Sequence, residues 1–235
     1  MTGRFKPCLD VLPPAQRILW PQLGNAPALG FTLYGGTAIA LRLGHRDSVD
    51  FDFFSEDPLD KTAIKAAFPF MAQSITLQDQ DNTWVVLAPN ADLGHEHVKI
   101  SFFGTIAFGR VGEPDLTDDG VVRVASLDDL MATKVKVILQ RAEAKDYRDI
   151  STMIKAGADL SRGLASARCL YGPNFQPSES LKALVYFNDG DLKTLTSDEK
   201  QTLIDAVKAV RDLPSVTLRS NSLSGVPPAE LPSIM

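Results

Sequence analysis

Gly35, Gly36 and Thr37 follow an apolar run, and Asp50 and Asp52 stand one residue apart a short helical pattern later. In an extended strand alternate side chains share a face. Asp50 and Asp52 therefore point the same way, with Phe51 and Phe53 behind them. Two carboxylates that close cost free energy unless a cation sits between them. Mg²⁺ meets that need, since it is satisfied by one or two carboxylates together with water and substrate phosphates. Such ions stabilise the attacking and leaving oxygens of an in-line phosphoryl displacement. Gly35 and Gly36 present no Cβ, so backbone there can approach a phosphate. Thr37 supplies a hydroxyl at the expected N-cap of the next helix, where free N–H groups and the helix dipole favour an anion. Taken singly, Gly-Gly reads as a turn and Asp-x-Asp as a solvated strand face. Taken together, a phosphate-approaching turn and a metal-holding acid pair point to nucleotidyl transfer.

The stretch GGTAIALRLGHRDSVDFDFFS resembles the signature of the AbiEii/AbiGii abortive-infection toxin family: a Gly-Gly-Thr-Ala helix, then Gly-His-Arg-x-Ser-x-Asp-x-Asp-x-Phe. A second block fits the same pattern, with Lys134, then Arg141, then the Lys145-Asp146-Tyr147-Arg148-Asp149 run. The resemblance implies the nucleotidyltransferase fold of the DNA polymerase β superfamily. It implies an enzyme that uses an NTP with Mg²⁺ or Mn²⁺, acts as the toxin of a toxin–antitoxin or phage-defence pair, and takes tRNA as acceptor. By position, Asp50 and Asp52 become the metal ligands. Lys134 contacts the triphosphate, and Asp146 completes the acidic site as ligand or base, with Asp149 the alternative base. Gly35, Gly36 and Ser48 cradle phosphates together with Thr37. Arg46 adds a charge-assisted contact to a phosphate oxygen, and Arg141 belongs to the same nucleotide-binding set.

Elementary geometry constrains the second block. Residues 134–149 contain no Pro or Gly, and apolar residues recur there at helical spacing. On one straight helix Lys134 and Asp146 would lie about 18 Å apart, at about 1.5 Å per residue. They could not then reach one nucleotide. The expectation is a break between Ala142 and Lys145, with Lys145 or Asp146 opening a second helix. The competing reading is a basic, solvated helix face with Asp149 paired to Lys145 at i+4. Many enzymes of the superfamily carry a third carboxylate on a later strand. The matching strand here, His97–Phe103, offers Lys99 and Ser101 on one face and no acid.

The rest of the chain bounds these readings. At 235 residues, with 44% hydrophobic and 23% charged residues, it suits one large domain or a catalytic core with a helical appendage. No run of 18 apolar residues suggests a membrane span, and the opening MTGRFKPCLDVLPPAQ lacks a secretory core. Two cysteines make no disulfide framework, so a reduced, cytoplasmic setting is expected. His95 and His97, with no cysteine nearby, read as surface residues rather than a metal site. A net charge of −5 argues against a large non-specific nucleic-acid groove. It leaves room for a local patch of Arg42, Arg46, Lys134, Lys136, Arg141, Lys145 and Arg148, if the two blocks meet.

The expected organisation is α+β. Residues 1–125 form a catalytic core with a mixed sheet, 126–212 a helical part completing the site, and 213–235 a Pro/Ser-rich tail that packs on the body or stays disordered. Helices are expected over 14–23, 37–43, 60–67, from Ser126 through Lys134, and over 146–156, 161–170, 178–187 and 197–212. Strands are expected over 31–34, 49–54, 74–78, 84–88 and 98–103, with a hairpin turn at Asp81-Asn82 and an edge strand over 121–124. Three functions stay open: a nucleotidyltransferase toxin acting on tRNA, a same-fold transferase acting on a small molecule or protein side chain, and an inactive nucleotide- or partner-binding module.

Overall fold

The computed structural model describes residues 3–89 and 97–225. In chain order the elements are β1 (Arg4–Phe5), α1 (Pro14–Leu19), β2 (Thr32–Tyr34), α2 (Gly35–Leu43), β3 (Asp50–Phe54), α3 (Lys61–Ala67), β4 (Ile75–Gln80), β5 (Thr83–Pro89), β6 (His97–Phe103), β7 (Asp115–Thr117) and β8 (Arg123–Val124). There follow α4 (Leu127–Val137), α5 (Ala144–Lys155), α6 (Leu160–Tyr171), α7 (Pro177–Ala183) and α8 (Ser197–Ala209). Among the described residues the strands form one mixed sheet, in the order β1-β7-β8-β2-β3-β6-β5-β4. The expected α+β nucleotidyltransferase architecture is therefore present, with the sheet in the first half and helices in the second.

Alternation in β3 decides which face of the sheet is buried. Phe51 and Phe53 are fully buried, and Phe53 stacks on Phe102 of β6 at 5.7 Å. Trp20 and Phe68 extend this aromatic layer, and Ile64 of α3 joins the same core. Asp50, Asp52 and Phe54 take the opposite face. There β6 runs parallel to β3 and sets Lys99, Ser101 and Phe103 beside them in register. The helical layer stands over this second face: α2 packs on α4 and α5, and α4 on α6.

Local chemistry fixes the helix ends. Gly44 closes α2 in the left-handed conformation, with φ of 64°, and its N–H bonds Ala40 O at 2.8 Å. Asp60 caps α3 by accepting from Ala63 N, and Ser126 caps α4 by accepting from Asp129 N. Thr196 and Glu199 form a reciprocal capping box on α8.

Several expectations need correction. The first helix ends at Leu19 and continues as a 3₁₀ turn over Trp20–Leu23, because Pro21 has no N–H to carry the α-helical ladder. The strand near residue 124 is not an edge, since β8 lies between β7 and β2. β1 and β7, of two and three residues, are too short to display alternation in a sequence. Helices α7 and α8 stop at Ala183 and Ala209, short of the expected 187 and 212. Residues 213–225 pack on the body: Arg110 exchanges backbone hydrogen bonds with Ser220, Thr32 Oγ1 donates to Leu223 O, and Leu223 is fully buried. His95 and the part of the tail beyond residue 225 lie outside the described residues.

Candidate active site

β2 delivers the chain into α2 through Gly35, whose φ of 75° is a conformation that side-chain-bearing residues rarely adopt. A Cβ on Gly35 would stand 2.8 Å from Asp52 Oδ2, and one on Gly36 would stand 2.4 Å from Arg46 Nη2. The two glycines thus admit the Asp52 carboxylate on one side and the Arg46 guanidinium on the other. Helix α2 begins at Gly35 with Tyr34 as its N-cap. Thr37 therefore sits inside the first turn, not at the expected cap.

The Thr37 hydroxyl is buried and donates to the backbone carbonyl of Asp50. A hydroxyl has one proton, so in the 2.7 Å contact between Thr37 Oγ1 and Ser48 Oγ it is Ser48 that donates. Both hydroxyl protons are then engaged in tying α2 to the start of β3. Neither is free to donate to a phosphate while these bonds persist.

Asp50 and Asp52 face a cleft of about 650 Å³, as β3 alternation requires. Its rim is formed by the α2 N-terminus, the 46–49 loop, β4 and β5 at Leu77, Gln78 and Val85, and α4 at Thr133, Lys134 and Val137, with Arg141 and Lys145 beyond. Asp50 meets a cation only loosely: Lys99 Nζ stands 3.7 Å from Oδ2, and about a third of each side chain or more is exposed. Burial pushes the Asp52 carboxyl up from the usual range; a hydrogen bond from Ser101 opposes this, and the neighbouring Asp50 charge adds to it. A divalent cation would relieve that repulsion, so the donor set fits one ion held by two carboxylates, water and phosphate oxygens.

The helical block does break, but the break opens five residues before Ala142, where it was expected. α4 ends at Val137 and α5 starts at Ala144, one residue before the anticipated opening, with Asp191 Oδ1 accepting from the Ala144 N–H. The turn returns the chain so that Lys134 Nζ lies 2.6 Å from Asp146 Oδ1 and 2.7 Å from Asp149 Oδ2. Both carboxylates are fully buried. Arg141 bonds Asp146 at 2.8 Å, and Arg46 grips Asp149 with two bonds of 2.7 and 2.9 Å. His45 Nε2 adds a third partner to Asp149 at 2.8 Å. Burial opposes charge on Asp146, but Lys134 and Arg141 outweigh it and lower its pKa. Burial opposes charge on Asp149 too, and His45, Lys134 and Arg46 hold it well below the carboxylate range.

These contacts redraw the sequence-derived site. Asp146 sits on cations, not beside Asp50 and Asp52, and no group of three His, Cys, Asp or Glu side chains able to hold a metal gathers among the described residues. Asp149 does not pair with Lys145, which instead meets Glu143 at 2.9 Å. The seven-residue basic patch also divides. Arg46, Lys134, Arg141 and Lys145 line the cleft. Arg42 turns away to Asp115 and the Phe5 ring, Lys136 to Asn174 O, and Arg148 to Thr194 and Glu199. His45 had no role assigned from sequence, though its position after Gly44 beside Arg46 marks it as part of the same turn. Lys99 was visible there only as the absence of an acid.

A family model described as the AbiEii nucleotidyl transferase toxin of type IV toxin–antitoxin systems matches residues 24–216. The chain belongs to this family. It is a nucleotidyltransferase that uses an NTP, and the toxin member of a toxin–antitoxin system, which implies an antitoxin partner. An uncharacterized protein of Aquifex aeolicus is 32% identical over 162 residues, covering 68% of this chain and 74% of its own length. The matched span takes in both the Gly-Gly to Asp52 block and the Lys134 to Asp149 block. Among the described residues no helix is long and apolar enough to cross a membrane.

Proposed function

We propose that this toxin, acting in the cytoplasm, moves a nucleoside monophosphate from an NTP to a hydroxyl of tRNA, with Mg²⁺ or Mn²⁺ held by Asp50 and Asp52. The observation that carries this reading is the placement of those two carboxylates on one cleft face, against the Gly35 turn and short of a full cationic partner. When bound, the ion would polarise the phosphoryl oxygens and stabilise charge on the leaving group.

The chain's own residues divide the remaining work. Ser101 orients Asp52. The α2 N-terminus, entered through Gly35 and Gly36, offers backbone N–H groups to a phosphate. An ammonium has three donors, and two of those on Lys134 are engaged by Asp146 and Asp149, leaving one for the triphosphate. Arg141, with its side chain 45% exposed at the cleft, adds a second cation. Asp146 and Asp149 position these cations instead of serving as ligand or base. The acceptor oxygen attacks the α-phosphorus, the bond to the bridging oxygen breaks, and pyrophosphate leaves. The hydroxyl proton departs to solvent, because cations hold both buried carboxyls at low pKa.

A second reading, transfer to a small molecule or a protein side chain, draws on the net charge of −5 and on the dispersal of Arg42, Lys136 and Arg148 away from the cleft. One experiment separates the two. Purified protein is incubated with each α-³²P NTP, Mg²⁺ or Mn²⁺ and total tRNA, beside Asp50→Ala. Label entering tRNA only with the intact protein is the expected result. NTP binding without label in tRNA would overturn the tRNA reading and favour the second.

A further inference from the structure

The strand beside the acid pair carries a cation where a third acid would serve a second metal. Parallel pairing of β3 with β6 sets Lys99 directly beside Asp50 and Ser101 beside Asp52. β6 is an interior strand, paired with β3 on one side and β5 on the other, so the root of Lys99 is fixed in the cleft floor. Its ammonium stands 3.7 Å from Asp50, beyond a tight charge-assisted bond, on a side chain 42% exposed. Lys134, by contrast, is only 6% exposed, with two donors held at 2.6 and 2.7 Å. Lys99 is therefore the cation on the sheet with donors still available to a substrate oxygen. Two-metal transferases place their ions about 3.5–4 Å apart. Such a pair needs more carboxylates than Asp50 and Asp52 provide, and among the described residues no third metal-binding side chain joins them.

We propose that the Lys99 ammonium takes the place of a second metal ion, so that the site works with one divalent cation and one fixed lysine. This rests on the assignment of Asp50 and Asp52 as ligands of that one cation. In the free protein Lys99 rests near Asp50. With NTP bound, it swings to a non-bridging oxygen of the α-phosphate and compensates the charge that builds there as the acceptor oxygen bonds to phosphorus and pyrophosphate departs. No proton moves to or from Lys99 in this step.

The test counts ions and follows rates on the full-length protein. Mn²⁺ binding is titrated by electron paramagnetic resonance for the native protein, Lys99→Met, Lys99→Asp and Asp52→Asn. The native protein is expected to hold one ion. Lys99→Met should hold one ion several-fold more tightly, since a neighbouring positive charge is gone. Lys99→Asp should hold two. In the transfer assay Lys99→Met should lower kcat by about 100-fold, the scale of losing one electrostatic contact to the transition state. KM for NTP should rise by less than kcat falls, because the contact strengthens as charge builds in the transition state, and Lys99→Arg should restore part of the rate. Two ions in the native protein, one ion in Lys99→Asp, or a native rate in Lys99→Met would each overturn the proposal. Failure of the underlying assignment reads differently: the native protein would bind no Mn²⁺, or Asp52→Asn would bind it unchanged.

Discussion

Two of the molecule's closely spaced aspartate pairs, Asp50–Asp52 and Asp146–Asp149, are used in opposite ways. Asp50 and Asp52 lie on the open face of a strand, with one loose cation at 3.7 Å. Asp146 and Asp149 lie on a helix, fully buried, and share Lys134, with Arg141, Arg46 and His45 completing their coordination at 2.6–2.9 Å. The first pair keeps unbalanced charge where a ligand can reach it. The second is neutralised by its own chain: Lys134, Arg141 and Arg46 surround it, and Glu143 also meets Arg141 at 3.6 Å. Residue type did not decide which pair faces the cleft. Burial and the number of cations within reach did.

The largest expected effect breaks the open pair. Asp50→Ala or Asp52→Ala should lower transfer by about 10³-fold or more while leaving the melting temperature nearly unchanged, because removing one of two repelling carboxylates relieves strain. Loss of the folded state in either variant, seen by circular dichroism, would make these acids structural and erase the contrast.

Breaking the buried pair should act on stability. Asp149→Ala leaves Lys134, Arg46 and His45 without a shared anion. The expected cost is about 3–5 kcal/mol, the range for removing one partner of a buried ion pair. For a chain of this size that lowers the melting temperature by roughly 6–20 °C. A drop under 2 °C would show that solvent reaches the cluster.

Acid titration sharpens the same comparison. Asp146 and Asp149 have lowered pKa values in the fold, whereas an unfolded Asp titrates at about 3.9. Below that value the unfolded chain takes up protons first, so the pair's contribution is full above about pH 4 and disappears as pH falls through the native pKa values. Chemical denaturation between pH 6 and 3 should therefore lose stability steeply below pH 4. The slope should be shallower in Asp149→Asn, and equal slopes would contradict the linkage.

The glycine turn touches both pairs. Gly36→Ala places a methyl against Arg46 Nη2 and should cost about 1–3 kcal/mol as that guanidinium yields. Gly35→Ala presses on Asp52 at a positive φ and should reduce transfer as well as stability. The smallest effect belongs to the rim: Lys145 pairs with Glu143 in solvent, so Lys145→Ala should shift stability by less than about 0.5 kcal/mol. A larger shift would extend the buried network outward.

Much of the fold was legible in advance, because its signals are local. Two-residue alternation set the faces of β3 and β6. Ser126 marked a helix start, whereas the caps at Asp60, Thr196 and Gly44 came only with the structure. The Gly-Gly turn and the acid pair could be joined without coordinates because a single short helix separates them. That a break separates Lys134 from Asp146 was also foreseeable, from the reach of two side chains, but its start after Val137 was not, since no Gly or Pro announces it. What stayed hidden was pairing across long separations. His45 and Arg46 reach Asp149 from more than a hundred residues away, and Lys145, four residues from Asp149, lost to them because it points outward to Glu143.

The sequence by itself determined that an acid pair and a glycine turn meet at a strand–helix junction, since periodicity and backbone freedom are properties of neighbouring residues. Only the tertiary structure decided that Asp146 and Asp149 are sealed under cations, that Thr37 and Ser48 bond each other, and that Lys99 stands beside Asp50. Those outcomes depend on which charges are buried together and on strand register. Both are fixed only when distant segments close on one another.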